Sequence, residues 1–376
     1  MRGDRQNPNK FYYQNDLKAM AYILYLGDQF ATSGHRANAI KRLGHTVDLR
    51  DPYKEFGKML SSWRGALHFR TGYTFLQSGM AKWLESIIRE TSGRLDVIWV
   101  DSGELFGPEC VKLLRKAKCP VILYNVDDPT GKRDGNRFNS LIKAIPDYDL
   151  IALVRKETAE ECKALGGKRV MRVFRSYDEV EHRPFASDLE IPSTFKSDVA
   201  FIGTWMRYEK RDEFLLELVA KGVPISIWGD RWEKSPHFAK LKSYWRGNAL
   251  RGRDYVAAIQ GSKICLGMLS KGNRDLHTQR SLEVPFAAGL FCAERTTEHK
   301  ELYEEGVEAV FWSDAAECAD ICNRLLKDTT LREKIRTAGM NRIRALKLGN
   351  QDVCEQVLKT LMEKPSELTT TANPRS

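Results

Sequence analysis

The sequence predicts an α/β protein built from two Rossmann-like, doubly wound domains that face each other across a cleft. Three observations lead there. Apolar strands and amphipathic helices alternate through the first half, a segment without period interrupts them, and the same alternation then resumes. At 376 residues the chain is long for a single core, whereas two domains of about 180 residues each are comfortable.

In the first half, strands are expected at Tyr22 to Leu26, Thr46 to Leu49, Val97 to Val100, Val121 to Tyr124, Leu150 to Val154 and Arg169 to Val173. Helices near 34–43, 74–90, 108–117, 137–145 and 157–165 separate them, which makes the sheet parallel and covered on both faces. From Ser176 to Ser197 two prolines and the lack of any sustained period mark an interdomain connection. Strands resume at Asp198 to Ile202, Ile225 to Trp228, Lys263 to Met268, Leu290 to Ala293 and Ala309 to Phe311. Helices fall near 209–221, 254–261, 279–288, 298–305, 315–327 and 329–346. The domains are therefore 18–178 and 198–348, joined by a linker over 179–197. A last helix within 349–364 is positioned to cross back to the first domain, and 1–17 and 365–376 read as disordered.

A hydrophobic share of 42% and a charged share of 29% are those of an ordinary soluble globular protein. The early apolar run AMAYILYLG is too short to span a membrane and is not placed as a signal peptide, so a cytoplasmic location and no transmembrane segment are expected. Eight cysteines lack any Cys-x-x-Cys pair. Cys318 and Cys322 share a helix face but find no third or fourth ligand in the sequence, so reduced buried thiols and no metal site are expected. The net charge of +10 favours anionic partners: nucleotide diphosphates, acidic glycans, an acidic membrane leaflet or nucleic acid. Arg207, Lys210 and Arg211, then Arg246, Arg251 and Arg253, then Lys271, Arg274 and Arg280 cluster after strands or at helix starts, which favours a bound phosphate over a broad polyanion track.

The richest motif is LSKGNRDLHTQRSLEVPFAAGLFCAE, from Leu269 to Glu294. It leaves a strand, passes through a polar loop, and enters a helix at about Thr278, so Asp275 lies on the loop, Glu283 in the first turns, and Arg280 between them. A helix start suits a phosphate, and a carboxylate a turn further in accepts from ribose hydroxyls. Asn273, Arg274, His277 and Thr278 belong to the same approach, His277 as a donor to phosphate or sugar. The alternative is a pre-cap Asp275 and a solvated Glu283.

In VAFIGTWMRYEKR a strand runs into Gly203 and Thr204 and then a basic turn, where Gly203 admits a close backbone or ligand and Arg207, Lys210 and Arg211 neutralise a diphosphate. The full glycine series of a dinucleotide site is missing. Trp228 reads as core, and WRGNALRGRDYV places Arg251 where a loop can meet a nucleobase. In VILYNVDDPTG, Asp127 and Asp128 follow a strand's carboxyl end, as a general base or equally as turn residues before proline. Asp101 and Glu104 on the next strand share that ambiguity, and the DYD at 147–149 precedes its strand and reads as a loop.

The ordered motifs FIGTWMRYEKR (201–211), IWGDRW (227–232), SKICLGM (262–268), TQRSLEVPFAAGLFCAE (278–294) and ELYEEGVEAVFW (301–312) resemble the carboxyl-terminal domain of the GT-B glycosyltransferases. The resemblance is most specific to the group similar to the spore-maturation protein CgeB. It spans about 198–345, and the first half is similar only in architecture and in its DDP turn. It implies that Glu283 binds the donor ribose and that Arg280 lies near the phosphates. Related retaining transferases carry two glutamates separated by seven residues; here the first is Asp275, which leaves the stereochemical outcome open. GT-B enzymes generally use no catalytic metal.

The reading is a glycosyltransferase that takes a sugar from a nucleotide-diphosphate donor, needs no cofactor beyond that donor, and passes the sugar to an acceptor that is a glycan, a protein or a small molecule. An inverting reaction assigns the base to Asp127 or Asp128; a retaining one leaves the acceptor proton to the donor phosphate. A nucleotide-sugar epimerase, a basic nucleic-acid-binding protein and a DNA-modifying transferase are the alternatives.

Overall fold

The computed structural model describes residues 20–131 and 133–363. The two terminal segments expected to be disordered lie outside them. The chain divides after Phe174: among the described residues, 20–174 together with 351–363 form one compact unit, and Arg175–Asn350 form the other.

In the first unit β1 (Tyr22–Leu26), β2 (Thr46–Arg50), β3 (Val97–Asp101), β4 (Val121–Asn125), β5 (Leu150–Leu153) and β6 (Val170–Arg172) make a six-stranded sheet in the order β2-β1-β3-β4-β5-β6. Every pairing is parallel. Alternate residues of one strand feed opposite cores, as a parallel sheet buried on both faces requires. Leu24, Ile98 and Leu123 join the cluster under α5 (Gln77–Glu90) and α6 (Pro108–Leu114), whereas Ile23, Trp99 and Ile122 join the other. On that second face lie α1 (Ala31–Arg42) and the last helix, whose Val353, Cys354, Val357, Leu358 and Leu361 recur at helical spacing. The last helix is thus part of the first unit's core.

Unforeseen in the sequence analysis are α2 (Pro52–Glu55), α3 (Gly57–Leu60) and α4 (Ser62–Arg70), which fill the gap between β2 and α5. The remaining helices of this unit are α7 (Asn139–Ala144) and α8 (Lys156–Ala164).

The second unit pairs β7 (Ser197–Ile202), β8 (Ile225–Trp228), β9 (Trp245–Gly247), β10 (Ser262–Gly267), β11 (Phe291–Glu294) and β12 (Val310–Trp312) in the order β12-β11-β10-β7-β8-β9, all parallel. Strand β9 replaces part of an expected loop. The helices are α9 (Arg211–Ala220), α10 (Phe238–Leu241), α11 (Gly252–Gln260), α12 (Arg280–Phe286), α13 (Thr297–Leu302), α14 (Ala315–Lys327) and α15 (Thr329–Ala345); α16 (Asn350–Met362) is the one that packs on the first unit's sheet.

The segment 179–197 is not a free linker. His182 and Ile191 are buried, the Phe185 N–H donates to Gln260 at 2.7 Å, and just before it Tyr177 stacks on Phe286 at 3.9 Å, so the stretch is built into the second unit. It looked aperiodic because side-chain contacts, not regular structure, hold it.

Candidate active site

In an open parallel sheet, ligands bind beyond the carboxyl ends of the strands where the order reverses. In the second unit the chain steps from β7 to β8 and β9 on one side and returns at β10 on the other, so the reversal lies between β7 and β10.

The end of β7 is closed by its own backbone. Gly203 donates to the Trp228 carbonyl at 2.8 Å and accepts from the Trp232 indole at 2.9 Å, and a Cβ on Gly229 would sit 2.0 Å from the Gly203 carbonyl. Gly203 therefore admits Gly229, and both indoles are core. Thr204 is half-buried. Buried Arg211 donates to the Thr204 carbonyl at 2.7 Å and the Leu269 carbonyl at 3.0 Å, which fastens β7 to β10 and takes Arg211 out of the diphosphate-binding set. Arg207 and Lys210 remain exposed, Lys210 at 3.7 Å from Glu213.

Past β10, Glu209 accepts from the N–H groups of Lys271 (3.0 Å) and Gly272 (3.3 Å), folding a single 3-10 turn that ends at Asn273; Arg274 follows at φ 53. Buried Asp275 pairs with Arg175 at 3.3 Å. The Nε2 of His277 accepts from the Arg175 backbone N–H at 3.1 Å, so its ring proton sits on Nδ1 and goes to Glu298 at 2.5 Å. Both nitrogens are committed within the protein. His277 therefore shapes the loop, contrary to the expectation that it donates to phosphate or sugar.

Helix α12 begins two residues later than expected. The Thr278 N–H donates to the Ser281 hydroxyl at 2.9 Å, and the Arg280 Nε donates to the Ile202 carbonyl, which brings Arg280 to the reversal point. Glu283 is 5% exposed, so the solvated alternative fails. Its Oε2 accepts from the Tyr255 hydroxyl at 2.6 Å, and its Oε1 lies 3.4 Å from the Nε2 of His182. The Nδ1 of His182 accepts from the Asp178 N–H at 2.9 Å, which leaves the neutral ring's proton on Nε2, facing Glu283. Burial, and then the Glu283 charge, push the Tyr255 phenol well above its usual range, so it stays a donor. Arg251, exposed, precedes the first residue of α11, the helix that carries Tyr255, and makes no side-chain capping bond there.

Beneath α12 a second network is wholly internal. His299 donates from Nδ1 to the Glu294 carbonyl at 2.6 Å and accepts at Nε2 from Ser281 at 2.8 Å. Burial lowers its pKa to about 4, so the ring is neutral. This serine–histidine pair has no solvent access and is structural.

In the first unit the DDP turn is clamped. Asn125 accepts from the Asp127 N–H at 2.7 Å, and buried Arg155 donates to the carbonyls of Val126 (2.9 Å) and Asp127 (2.6 Å). The Asp127 side chain is 33% exposed, 3.8 Å from Arg137 and 3.5 Å from the Ser102 hydroxyl. Asp128 differs. It is buried, accepts from Thr158 at 2.9 Å, and a Cβ on Gly131 would come within 2.3 Å of its carboxylate, so it is a turn residue and leaves the catalytic set. Asp101 is likewise structural, held by two 2.8 Å bonds from Arg36 and one of 2.7 Å from Tyr25. Glu104 accepts from Arg137 and from Tyr53 at 3.0 Å, and burial raises its pKa.

Residues 209–358 match a family model described as glycosyl transferase-like. No curated protein matches the chain. Among solved structures, HepE of Anabaena in complex with UDP-glucose superposes with a TM-score of 0.62 at 12% identity, over 91% of this chain and 99% of that one. Sucrose-phosphate synthase from Thermosynechococcus elongatus gives 0.64 at 10% identity, over 90% and 98%. A glycosyltransferase from Rickettsia africae gives 0.59 at 15%, over 91% and 98%. The fold is that of the GT-B glycosyltransferases.

The second unit also gathers a cluster that the sequence left unfinished. Cys292 of β11 joins Cys318 and Cys322 of α14, with the three sulfurs within 4.8 Å of one another and all three side chains buried. Thiols are the donor type that soft metal ions take, but only three meet here, and no fourth ligand joins them among the described residues. What the sequence missed around the site is Arg175, His182 and Tyr255. Each lies far along the chain from the residue it contacts; Arg175 and His182 carry no local motif, and in WRGNALRGRDYV nothing local marks Tyr255.

Proposed function

We propose that the protein transfers a sugar from a nucleotide-diphosphate donor, held by the second unit, to an acceptor held by the first, without a catalytic metal ion. The observation that carries this reading is the buried Glu283 carboxylate at the reversal of the sheet, inside the residues that match the glycosyl transferase-like family model. Tyr255 and His182 engage one lone pair on each oxygen, and the remaining lone pairs accept the ribose hydroxyls. Arg207, Lys210 and Arg280 supply positive charge where the leaving diphosphate develops its own. Arg251, Asn273, Arg274 and Thr278 complete the donor contacts, and Asp275, tied to Arg175, faces the donor sugar.

Asp127, partly exposed and paired with Arg137, activates the acceptor hydroxyl in an inverting transfer. Within the GT-B glycosyltransferases we place the chain in the CgeB-like group, a reading that rests on the resemblance of the motifs at 201–211 and 278–294. The UDP-glucose held by HepE makes that sugar nucleotide the first donor to test. In calorimetry with and without chelator, UDP-glucose or another sugar nucleotide binds equally in both, and Glu283→Ala abolishes the heat. Absence of binding across uridine, adenosine, guanosine and thymidine diphosphate sugars overturns the reading.

A further inference from the structure

Helix α4 turns the apolar side chains of Trp63 and Leu67 out to solvent. Among the described side chains from Ser61 to Arg70 only His68 is buried, while Trp63 is 70% exposed and Leu67 44%. Met59 on α3 and Phe75 after α4 are exposed too, Phe75 to 66%. Trp63, Leu67 and Arg70 follow i, i+4, i+7 spacing and share one side of the helix. A nine-residue helix left in water is marginal by itself, and soluble surfaces seldom leave such side chains grouped without a use for them. The charge around them has one sign: from Phe56 to Trp83 the chain holds Lys58, Arg64, Arg70 and Lys82 and no aspartate or glutamate.

We propose that α3, α4 and the turn through Phe75 form an interfacial patch that lies on an anionic lipid bilayer. Met59, Trp63, Leu67 and Phe75 enter the boundary between headgroups and acyl chains, and Lys58, Arg64 and Arg70 meet the lipid phosphates. A nucleic acid uses the cations but leaves the apolar stripe in water, and a protein groove uses the stripe but not a border of one charge. A bilayer uses both. No helix among the described residues is long and apolar enough to cross a membrane, so the contact is a surface one. Another side of α4 reaches toward the acid cluster: the Arg137 guanidinium lies 5.5 Å from the Phe69 ring and 3.8 Å from Asp127. If the transfer reading holds, the acceptor is an alcohol carried in that bilayer; the membrane contact itself does not depend on it.

The test is co-sedimentation of the full chain with vesicles of phosphatidylcholine alone and of phosphatidylcholine mixed with phosphatidylglycerol. The protein pellets with the anionic vesicles, less so as salt rises, and partition falls at least about tenfold in Trp63→Ala/Leu67→Ala and in Lys58→Glu/Arg64→Glu. Thermal midpoints stay unchanged because the substituted side chains are exposed. Pelleting with neither vesicle, equal pelleting with both, or equal partition of variants and parent overturns the patch. UDP-glucose calorimetry on the same variants separates the two claims, since loss of vesicle binding with donor binding intact concerns the patch alone.

Discussion

Tyr255 on α11 donates its phenolic hydrogen to Glu283 on α12 across 2.6 Å, and His182 faces the other oxygen of the same carboxylate at 3.4 Å. Removing the hydrogen-bond donor from a buried carboxylate costs stability, so Tyr255→Phe is expected to lower unfolding free energy by about 1–3 kcal/mol in urea titration. It weakens sugar-nucleotide binding, whereas Glu283→Ala abolishes it. Unchanged affinity in Glu283→Ala removes the ribose role.

The two aspartates of the DDP turn separate cleanly. Asp127→Asn keeps donor binding and stability and lowers turnover by about a hundredfold or more, the usual weight of a general base. Asp128→Asn does the opposite, lowering the thermal midpoint because Thr158 loses a carboxylate acceptor. Full turnover in Asp127→Asn discards the inverting base.

Asp275 and Arg175 meet at 3.3 Å with both side chains largely buried. Asp275→Ala, which withdraws the carboxylate facing that guanidinium, costs about 3 kcal/mol of stability. Adding Arg175→Met restores part of it. Additive effects in the double-mutant cycle show that the pair is not coupled.

His299 sets an acid limit. Its folded pKa of about 4 lies below the ordinary 6.5, with burial as the leading cause and the neighbouring His277 adding to it. The folded state therefore binds the proton less readily than the unfolded chain. The stability this contributes is fully present above pH 6.5, falls as pH drops toward 4, and amounts to about 3 kcal/mol at the limit. His299→Gln flattens the difference in unfolding free energy between pH 7 and pH 4.5; an unaltered slope contradicts the assignment.

Much of the scaffold was legible because its signals are local. The apolar runs that became β1 and β8 end where the sequence ended them, and the alternation of strand and helix fixed two parallel sheets. Helices α2 to α4 escaped because α2 and α3 are four residues each and α4 buries a single described side chain, which leaves no inward stripe to read. The 179–197 segment escaped for a related reason: its residues are held by hydrogen bonds and packing, which have no period.

By itself the sequence determined the α/β class, the two repeats of the doubly wound pattern, and the acids and cations gathered around Asp275, Arg280 and Glu283. Tertiary structure decided which of them can act. It buried Asp128 against Thr158, used both nitrogens of His277, and turned Arg211 into a fastener between β7 and β10. It also brought Arg175 to Asp275 across one hundred residues and Cys292 to Cys318 and Cys322. The physical reason is the range of each signal. Periodicity repeats every two or 3.6 residues and can be read along the chain, whereas a buried contact depends on the order in which distant strands pair, which no local pattern encodes.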